Sequence, residues 1–333
     1  MSFRLFTFTL IASILLAACA LASPSPGPEA VPEDLVNIRL PMGYIPSVQY
    51  APFYVADAKN YFRDAGLEVE FDYSFETDGV ALVGTDELQF SLASGEQVLL
   101  AREQGIPVVY VLAWWQDFPV AVAAKSELEI KEPADLEGVD IGLPGLFGAS
   151  YIGLRALLNS AGLSEEDVQL DSIGFNQVEA LVADQIQAAV VYANNEPIQL
   201  EAMGYDLDLI RVADYVPLTS NGLITNEKTI RENPQLVRSM VATILKAVTA
   251  SINDPDGAYS ISLDYVEGLE DADRDVQMEI LKTSIEFWRP EGAGELGKSN
   301  LDAWENMQQV LIDMGLLSGS LDLEAAYTND FVD

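Results

Sequence analysis

The chain has 333 residues, of which 49% are hydrophobic, and its 17 basic residues are opposed by 53 acidic ones. The formal charge of −36 argues against nucleic acid and anionic lipid surfaces as partners and disfavours a strongly anionic ligand. The chain has no histidine and a single cysteine. This excludes an intrachain disulfide and removes the usual ligands of a metal site and the usual catalytic bases.

The N-terminus has the pattern of an export signal. Arg4 is followed by an apolar run from Leu5 to Ala18, which is too short to span a bilayer. Residues 16–19 read Leu-Ala-Ala-Cys and resemble the bacterial lipobox, in which the cysteine receives a diacylglyceryl group after the preceding peptide is removed. We therefore interpret residues 1–18 as a lipoprotein signal peptide and Cys19 as the lipidation site, with an ordinary cleaved signal as the alternative.

The segment after Cys19 predicts a tether. Residues 19–35 are rich in Ala, Ser, Pro and Glu, a composition that cannot bury enough apolar surface to fold. About 300 residues follow, which is more than one ordinary core holds, so two lobes are expected. The protein is thus predicted to be a monomer, anchored by lipid to the extracytoplasmic face of the cell membrane.

The first half of the folded region alternates short β-rich runs with longer amphipathic stretches, which is typical of βα units around mostly parallel sheets. Ser94, with Gln97 three residues later, is the predicted N-cap of one helix. Strands are predicted at 36–43, 67–73, 88–92 and 108–112, and helices at 51–62 and 96–104.

The character of the chain changes after residue 119. Strands at 120–124, 139–143 and 188–192 and a helix at 151–158 follow, and beyond residue 222 amphipathic helices at 234–250, 274–288 and 301–314 dominate. These patterns predict two α/β lobes joined by two crossover segments, near 117–121 and 221–225. The expected first lobe comprises residues 36–119 and 225–333, and the second comprises 120–224.

Several segments resemble one family of binding proteins. Residues 43–56 read GYIPSVQYAPFYVA, residues 135–138 read DLEG, and residues 187–192 and 194–197 read QAAVVY and NNEP. They look like the sulfonate and thiamine-pyrimidine binding proteins, over almost the whole mature chain. The resemblance implies a periplasmic-binding-protein fold of the two-crossover type and, as partners, the permease and the ATPase of an ABC importer.

The first loop departs from the pyrimidine binders, which carry Trp-Thr-Pro-Asn and then a His there. Here the loop reads Tyr-Ile-Pro-Ser from Tyr44, with Gln49 after it, and it resembles the riboflavin-binding branch. Riboflavin is therefore the expected ligand, as transported cargo and not as a cofactor. A thiamine pyrimidine precursor, a sulfonate, a small-molecule-processing enzyme and a sensory module remain as alternatives.

The ligand site is expected between the lobes, outside the carboxyl ends of the strands. A flat ring is held there by stacking on aromatic faces, with amides at its edges. Trp114 and Trp115 are adjacent, so on an extended chain only one of them easily faces the cleft. The candidate ligand-binding residues are Tyr44, Gln49, Tyr50, Trp114, Trp115, Gln116, Phe147, Ser150, Tyr151, Tyr192, Asn194 and Glu196.

Overall fold

The computed structural model describes residues 35–290 and 294–332. The predicted signal peptide, Cys19 and nearly all of the predicted tether lie outside the described residues. Within them the strands are β1 (Val36–Gly43), β2 (Leu67–Phe75), β3 (Ser91–Ser94), β4 (Val108–Ala113), β5 (Val120–Lys125), β6 (Asp140–Leu143), β7 (Gln169–Ser172), β8 (Ala188–Tyr192), β9 (Leu207–Arg211) and β10 (Asn221–Asn226).

Helices follow most of these strands and dominate the C-terminal third of the chain. The described helices are α1 (Ala51–Ala58), α2 (Tyr61–Asp64), α3 (Glu76–Gly84), α4 (Gly95–Glu103), α5 (Gly148–Ser160), α6 (Gln177–Val182), α7 (Glu196–Ala202), α8 (Glu227–Glu232), α9 (Pro234–Asn253), α10 (Pro255–Ser262), α11 (Arg274–Trp288), α12 (Leu301–Asp313) and α13 (Leu323–Ala326).

The first lobe is built on β1 to β4 and β10. Strand β1 pairs in parallel with β2, and β10 lies between β3 and β4, antiparallel to both. β1 packs beside β3, where the Ser91 hydroxyl donates to the Pro41 carbonyl at 3.4 Å. Strand β4 is buried along its whole length, as expected for a continuous run of β-branched and aromatic residues covered on both faces.

The second lobe has a five-stranded sheet in the order β7-β6-β8-β5-β9. Strand β6 is parallel to β7 and β8, whereas β5 is antiparallel to β8 and β9. The chain enters this sheet at Val120 and leaves it at Arg211. Each lobe is therefore a sheet with helices around it, as the alternating pattern predicts.

The return to the first lobe occurs earlier in the chain than expected. Residues 221–224, which the sequence pattern placed in the second lobe, begin strand β10, and this strand pairs with β3 and β4 of the first lobe. The predicted crossover at 221–225 is therefore wrong, because these residues are part of a sheet. The connecting segments are residues 114–119 and 212–220, which join β4 to β5 and β9 to β10.

The predicted helix at 51–62 is broken in two. Asn60 adopts a left-handed conformation (φ 58°) between α1 and α2, which asparagine tolerates better than most residues. Among the described residues α9 is the one helix long and apolar enough to cross a membrane. Its apolar residues, including Met240, Val241 and Ile244, are buried in the core of the first lobe.

Candidate ligand-binding cleft

A cleft lies between the two lobes, and its empty space of about 840 Å³ includes open solvent. It is bordered by the ends of β1, β2, β4 and β8 and by the first turn of α5. The loop between β1 and α1 and the segment after β4 contribute the first lobe's share. The cavity therefore lies where the strand-end argument places a site.

Nine of the twelve predicted residues line this cavity. Strand ends and helix starts bring them together from four separate segments of the chain. They are Tyr44, Gln49, Tyr50, Trp114, Trp115, Phe147, Ser150, Tyr192 and Glu196.

Aromatic rings form the inner walls. Tyr50 stacks on Trp114 with ring centroids 5.4 Å apart and an angle of 28° between the rings. The Tyr50 hydroxyl donates to the Met42 carbonyl at 2.7 Å, and burial raises its pKa well above the usual value. Trp115 meets the edge of Tyr192 from the second lobe at 6.0 Å. The walls offer the flat apolar faces that suit a planar ring system.

Both tryptophans face the cavity, so the expectation that only one enters is wrong. Trp114 and Trp115 are 4% and 3% exposed, and both are lining residues. The alternation argument fails because β4 ends at Ala113 and the chain bends at Trp114. Their rings are 5.5 Å apart at an angle of 77°, so two differently oriented surfaces are presented to one ligand.

The mouth of the cleft is flanked by rings from both lobes. Phe75 at the end of β2 contacts Phe147 at 5.3 Å and Phe175 at 5.8 Å, and Phe175 in turn contacts Tyr44 at 4.7 Å. Phe75 and Phe147 remain 42% and 43% exposed. This aromatic contact between the lobes narrows the mouth of the cleft.

One side of the cavity carries a carboxyl group from α7. The Glu196 carboxyl accepts from the Tyr192 backbone N–H at 2.9 Å, from the Asn195 amide at 2.9 Å and from the Tyr44 hydroxyl at 3.4 Å. Burial raises the pKa of Glu196, and these donors partly oppose that shift. Because Tyr44 comes from the first lobe, this cluster also links the two lobes.

A second carboxyl group, that of Glu76 at the start of α3, faces the ends of β3 and β10 in its own lobe. It accepts from the Asn221 amide at 2.7 Å, from the Ser94 hydroxyl at 2.7 Å and from the Ser94 backbone N–H at 3.3 Å. Ser94 therefore does not cap α4 with its side chain as predicted, since its hydroxyl is used by Glu76. Asn221 also accepts from the Tyr192 hydroxyl at 3.2 Å.

Behind Ser94 lies Glu96, whose side chain is fully buried. Burial, followed by the nearby Glu76, raises the pKa of Glu96 to about 8. The Ser94 hydroxyl contacts both carboxyl groups but has one proton to donate. When it donates to Glu76, Glu96 must be protonated and donate to Ser94. The shared hydroxyl therefore requires a proton on one of the two carboxyl groups.

Three predicted residues lie outside the cavity. The Gln116 side chain folds back and donates to the Ala113 carbonyl at 2.7 Å. Tyr151 lies one turn into α5, where its hydroxyl donates to Glu165 at 2.7 Å. Asn194 is buried and donates to Gln49 at 2.9 Å and to Ser284 at 2.8 Å. Asn194 thus positions Gln49 and does not itself line the cleft.

The sequence analysis missed more than half of the lining. Phe75 and Glu76 follow β2 at its carboxyl end, a signal that was available but hidden because the strand was predicted to stop at residue 73. Phe175 and Gln177 follow the short strand β7, whose pattern was not recognised. The missed lining residues are Met42, Gly43, Phe75, Glu76, Leu92, Pro144, Gly148, Ala149, Phe175, Gln177, Asn195 and Asn221.

Comparison with known proteins points to one family. The model described as NMT1/THI5 like matches residues 47–258. The chain is 37% identical to the riboflavin-binding protein RibY of Chloroflexus aurantiacus, over all of this chain and 98% of that protein. It is 28% identical to the formylaminopyrimidine-binding protein of Halalkalibacterium halodurans, over 89% of this chain and 91% of the relative. A 4-amino-5-hydroxymethyl-2-methylpyrimidine phosphate synthase of Saccharomyces cerevisiae is 23% identical over 69% of this chain and 71% of its own length.

Solved structures agree on the fold. The periplasmic aliphatic sulphonate binding protein SsuA from Escherichia coli matches with a TM-score of 0.67, over 87% of this chain and 91% of that chain, at 12% identity. At an identity this low, the match supports the fold but gives no information about the ligand. The predicted periplasmic-binding-protein fold with two α/β lobes is confirmed.

Proposed function

The chain belongs to the NMT1/THI5-like family, and from this premise we propose that it is the substrate-binding protein of an ABC importer and that it binds riboflavin in the cleft between its lobes. The observation that carries the proposal is the lining itself. Eight aromatic residues contributed by both lobes line the cleft, with amide and carboxyl groups between them. The similarity to RibY along the whole chain supports the same ligand.

The lining complements both parts of riboflavin. Its isoalloxazine ring is flat and largely apolar, which suits the faces of Tyr50, Trp114 and Trp115. Its ribityl chain is a row of hydroxyl groups, which suits acceptors such as Glu76 and the amide of Asn221. The backbone N–H groups at the start of α5 are donors that a ring carbonyl can accept from.

Binding without catalysis is part of the proposal. Neither histidine nor cysteine occurs in the described residues, Glu76 and Glu196 are each held by several hydrogen-bond donors, and the Ser94 hydroxyl beside Glu76 is shared with the Glu96 carboxyl group. A sulfonate is less well matched than riboflavin, because the lining contains no lysine or arginine. Ligand binds between the lobes, which close about the connecting segments at 114–119 and 212–220, and the permease recognises the closed form.

The direct test is titration of riboflavin with the purified full chain. Stacking on tryptophan and tyrosine is expected to quench flavin fluorescence to saturation at one equivalent, with a dissociation constant below about 1 μM, which corresponds to about −8 kcal/mol. The ligand recovered after denaturation should have an unchanged mass. Unquenched flavin emission at micromolar protein would reject the riboflavin assignment, and a chemically altered ligand would reject binding without turnover.

Membrane attachment through Cys19 is a further part of the proposal, supported by the lipobox-like segment at 16–19. A lipid-anchored protein should partition into detergent and carry the mass of its acyl chains on the N-terminal peptide. Cys19→Ser removes the thiol and is expected to move the protein to the aqueous phase, whereas Ala20→Ser, one residue along, should leave it in detergent. A wild-type N-terminal peptide without added lipid mass would contradict the anchor.

A further inference from the structure

We infer that the cleft selects its ligand by charge, accepting an uncharged polyhydroxylated aromatic molecule and rejecting the same molecule once it is phosphorylated, with Glu76 as the residue that determines this selectivity. The inference rests on the proposed function and specifies which form of the vitamin is taken. For riboflavin, the rejected ligand is riboflavin 5′-phosphate, whose ring and ribityl carbons are identical and whose terminal hydroxyl has become a phosphate dianion.

The first observation is the set of ionisable groups that line the cavity. Glu76 and Glu196 are the acidic residues of the lining, and none of the lining residues is a lysine or an arginine. Arg211 is the cation in contact with the ring of Phe287, behind Trp115, and it is already paired with Asp117. No described cation therefore stands in the cavity to balance a phosphate.

The second observation is that the negative charge at Glu76 is held in place. Three hydrogen bonds donated by Ser94 and Asn221 converge on its carboxyl group. The neighbouring Glu96 takes up the proton that the pair holds, through the Ser94 hydroxyl. The hydrogen bonds from Ser94 and Asn221 favour the ionised form of Glu76, and a proton on Glu96 removes the repulsion that a second carboxylate would exert on it.

The N-terminus of α5 attracts an anion, but this attraction is weaker than the repulsion from Glu76. Its unsatisfied N–H groups at Gly148, Ala149 and Ser150 border the cavity and carry a partial charge of about half a positive elementary charge. A ring carbonyl satisfies these donors without bringing any net charge into the site. A phosphate would face this half charge against the negative charge at Glu76. Coulomb repulsion from Glu76, with no lysine or arginine in the lining to offset it, decides against the anion.

A hydroxyl group, by contrast, gains from the same arrangement. Glu76 already accepts hydrogen bonds from Ser94 and Asn221, and a carboxylate has about four lone-pair sites. A ribityl hydroxyl can therefore add a charge-assisted hydrogen bond, which is about twice as strong as one between neutral groups. The same side chain thus favours the hydroxyl and opposes the phosphate, which makes it a determinant of specificity.

The experiment compares riboflavin and riboflavin 5′-phosphate by fluorescence titration of the full chain at neutral pH. Riboflavin is expected to bind at least about tenfold more tightly, a difference of about 1.4 kcal/mol. Measurements at about 1 M salt, where the Debye length is about 3 Å, separate the cleft from the acidic outer surface. A preference that persists there comes from buried charge, whereas one that disappears comes from the net charge of −36 and overturns the assignment to the cleft.

Variants assign the effect to a residue. Glu76→Gln removes the charge and keeps an oxygen for Ser94, although it replaces the acceptor of the Asn221 amide with a donor, so the preference for riboflavin should shrink at least about threefold. Glu279→Gln removes an equal charge from an exposed position on α11 and should leave the preference unchanged. Equal binding of both flavins by the wild type would overturn the inference while leaving the proposed function standing. Failure of both flavins to bind would instead refute the proposed function.

Discussion

Replacing Trp115 with alanine is expected to weaken riboflavin binding about 100-fold or more. The ring of Trp115 lies between the two lobes, where it meets Tyr192 at 6.0 Å and Phe287 at 5.6 Å, and it is 3% exposed. Buried aromatic anchors of this kind typically contribute about 2–4 kcal/mol to binding, and every 1.4 kcal/mol is about tenfold in affinity. Titration by flavin quenching measures the loss directly.

A matched variant separates binding from stability. Trp304 is fully buried far from the cavity and stacks on Tyr327 at 5.0 Å with an angle of 3°. Trp304→Ala and Trp115→Ala should each cost about 3–5 kcal/mol of unfolding free energy, but only the latter should lose riboflavin affinity. Trp115→Phe retains an aromatic face and should bind within about tenfold of the wild type. Equal affinity losses in the two alanine variants would show that Trp115 acts through stability alone.

The sequence was sufficient to predict the fold where segments are long or strongly patterned. Strand β1, strand β8 and helix α11 begin and end at the predicted residues, because each is a clean run of β-branched or helically spaced apolar residues. The short strands β7 and β9 were missed. Strand β7 reads Gln-Leu-Asp-Ser, and pairing with β6 decides its conformation, which is a tertiary effect that local pattern does not carry.

The site residues that could be predicted from the sequence are those that lie at or just after the ends of clear strands. Tyr44, Tyr50 and Tyr192 follow or end clear strands, and all three line the cleft. The directions in which side chains point were harder to predict from the sequence. Asn194 and Asn195 are neighbours after β8, yet Asn194 turns into the interior towards Ser284 while Asn195 lines the cavity. The backbone turn after residue 192 determines which amide faces inward, and the residue types alone do not encode it.

The buried pair Glu76 and Glu96 shows why polar sites are the hardest feature to predict. Both lie at helix starts, where acidic residues are common for a purely local reason, the helix dipole. Only the fold brings α3 and α4 together so that their first residues share the hydroxyl of Ser94. The perturbed pKa of Glu96 follows from that burial and from its partner, and neither is visible along the chain.

Glu96→Gln is expected to stabilise the protein and to remove a component of its pH dependence. The pKa of Glu96 is raised from 4.5 to about 8 in the folded protein, so the folded state holds a proton that the unfolded state has released between these values. Stability is therefore greatest below about pH 4.5 as far as this group is concerned, and it falls as the pH rises towards 8, by up to about 1.4 kcal/mol per pH unit. Above pH 8 both states are ionised and this group causes no further loss.

The expected effect of Glu96→Gln follows from the number of protons that the folded and unfolded states bind. Ser94 and Gln97 contact the same oxygen, Oε1 of Glu96, so a glutamine at position 96 keeps one of the two contacts: its amide donates to Ser94 or its oxygen accepts from Gln97. It cannot ionise, so near pH 8 the variant should be more stable than the wild type by as much as about 4 kcal/mol. Denaturant unfolding of both chains across the window from about pH 4.5 to 8 gives this difference as a function of pH.

The neighbouring groups do not account for the same signal. Tyr110 and Tyr192 lie close enough to Glu96 for its charge to raise their pKa values, which are elevated chiefly by burial and so move further above this window. Glu76 titrates together with Glu96 and remains in the variant, so the difference curve isolates the second proton of the pair. Glu279→Gln, which removes an exposed charge, should leave the curve parallel to that of the wild type. If the Glu96→Gln curve is also parallel, Glu96 is ionised in the folded protein and the Glu76–Ser94–Glu96 pair carries two charges instead of one.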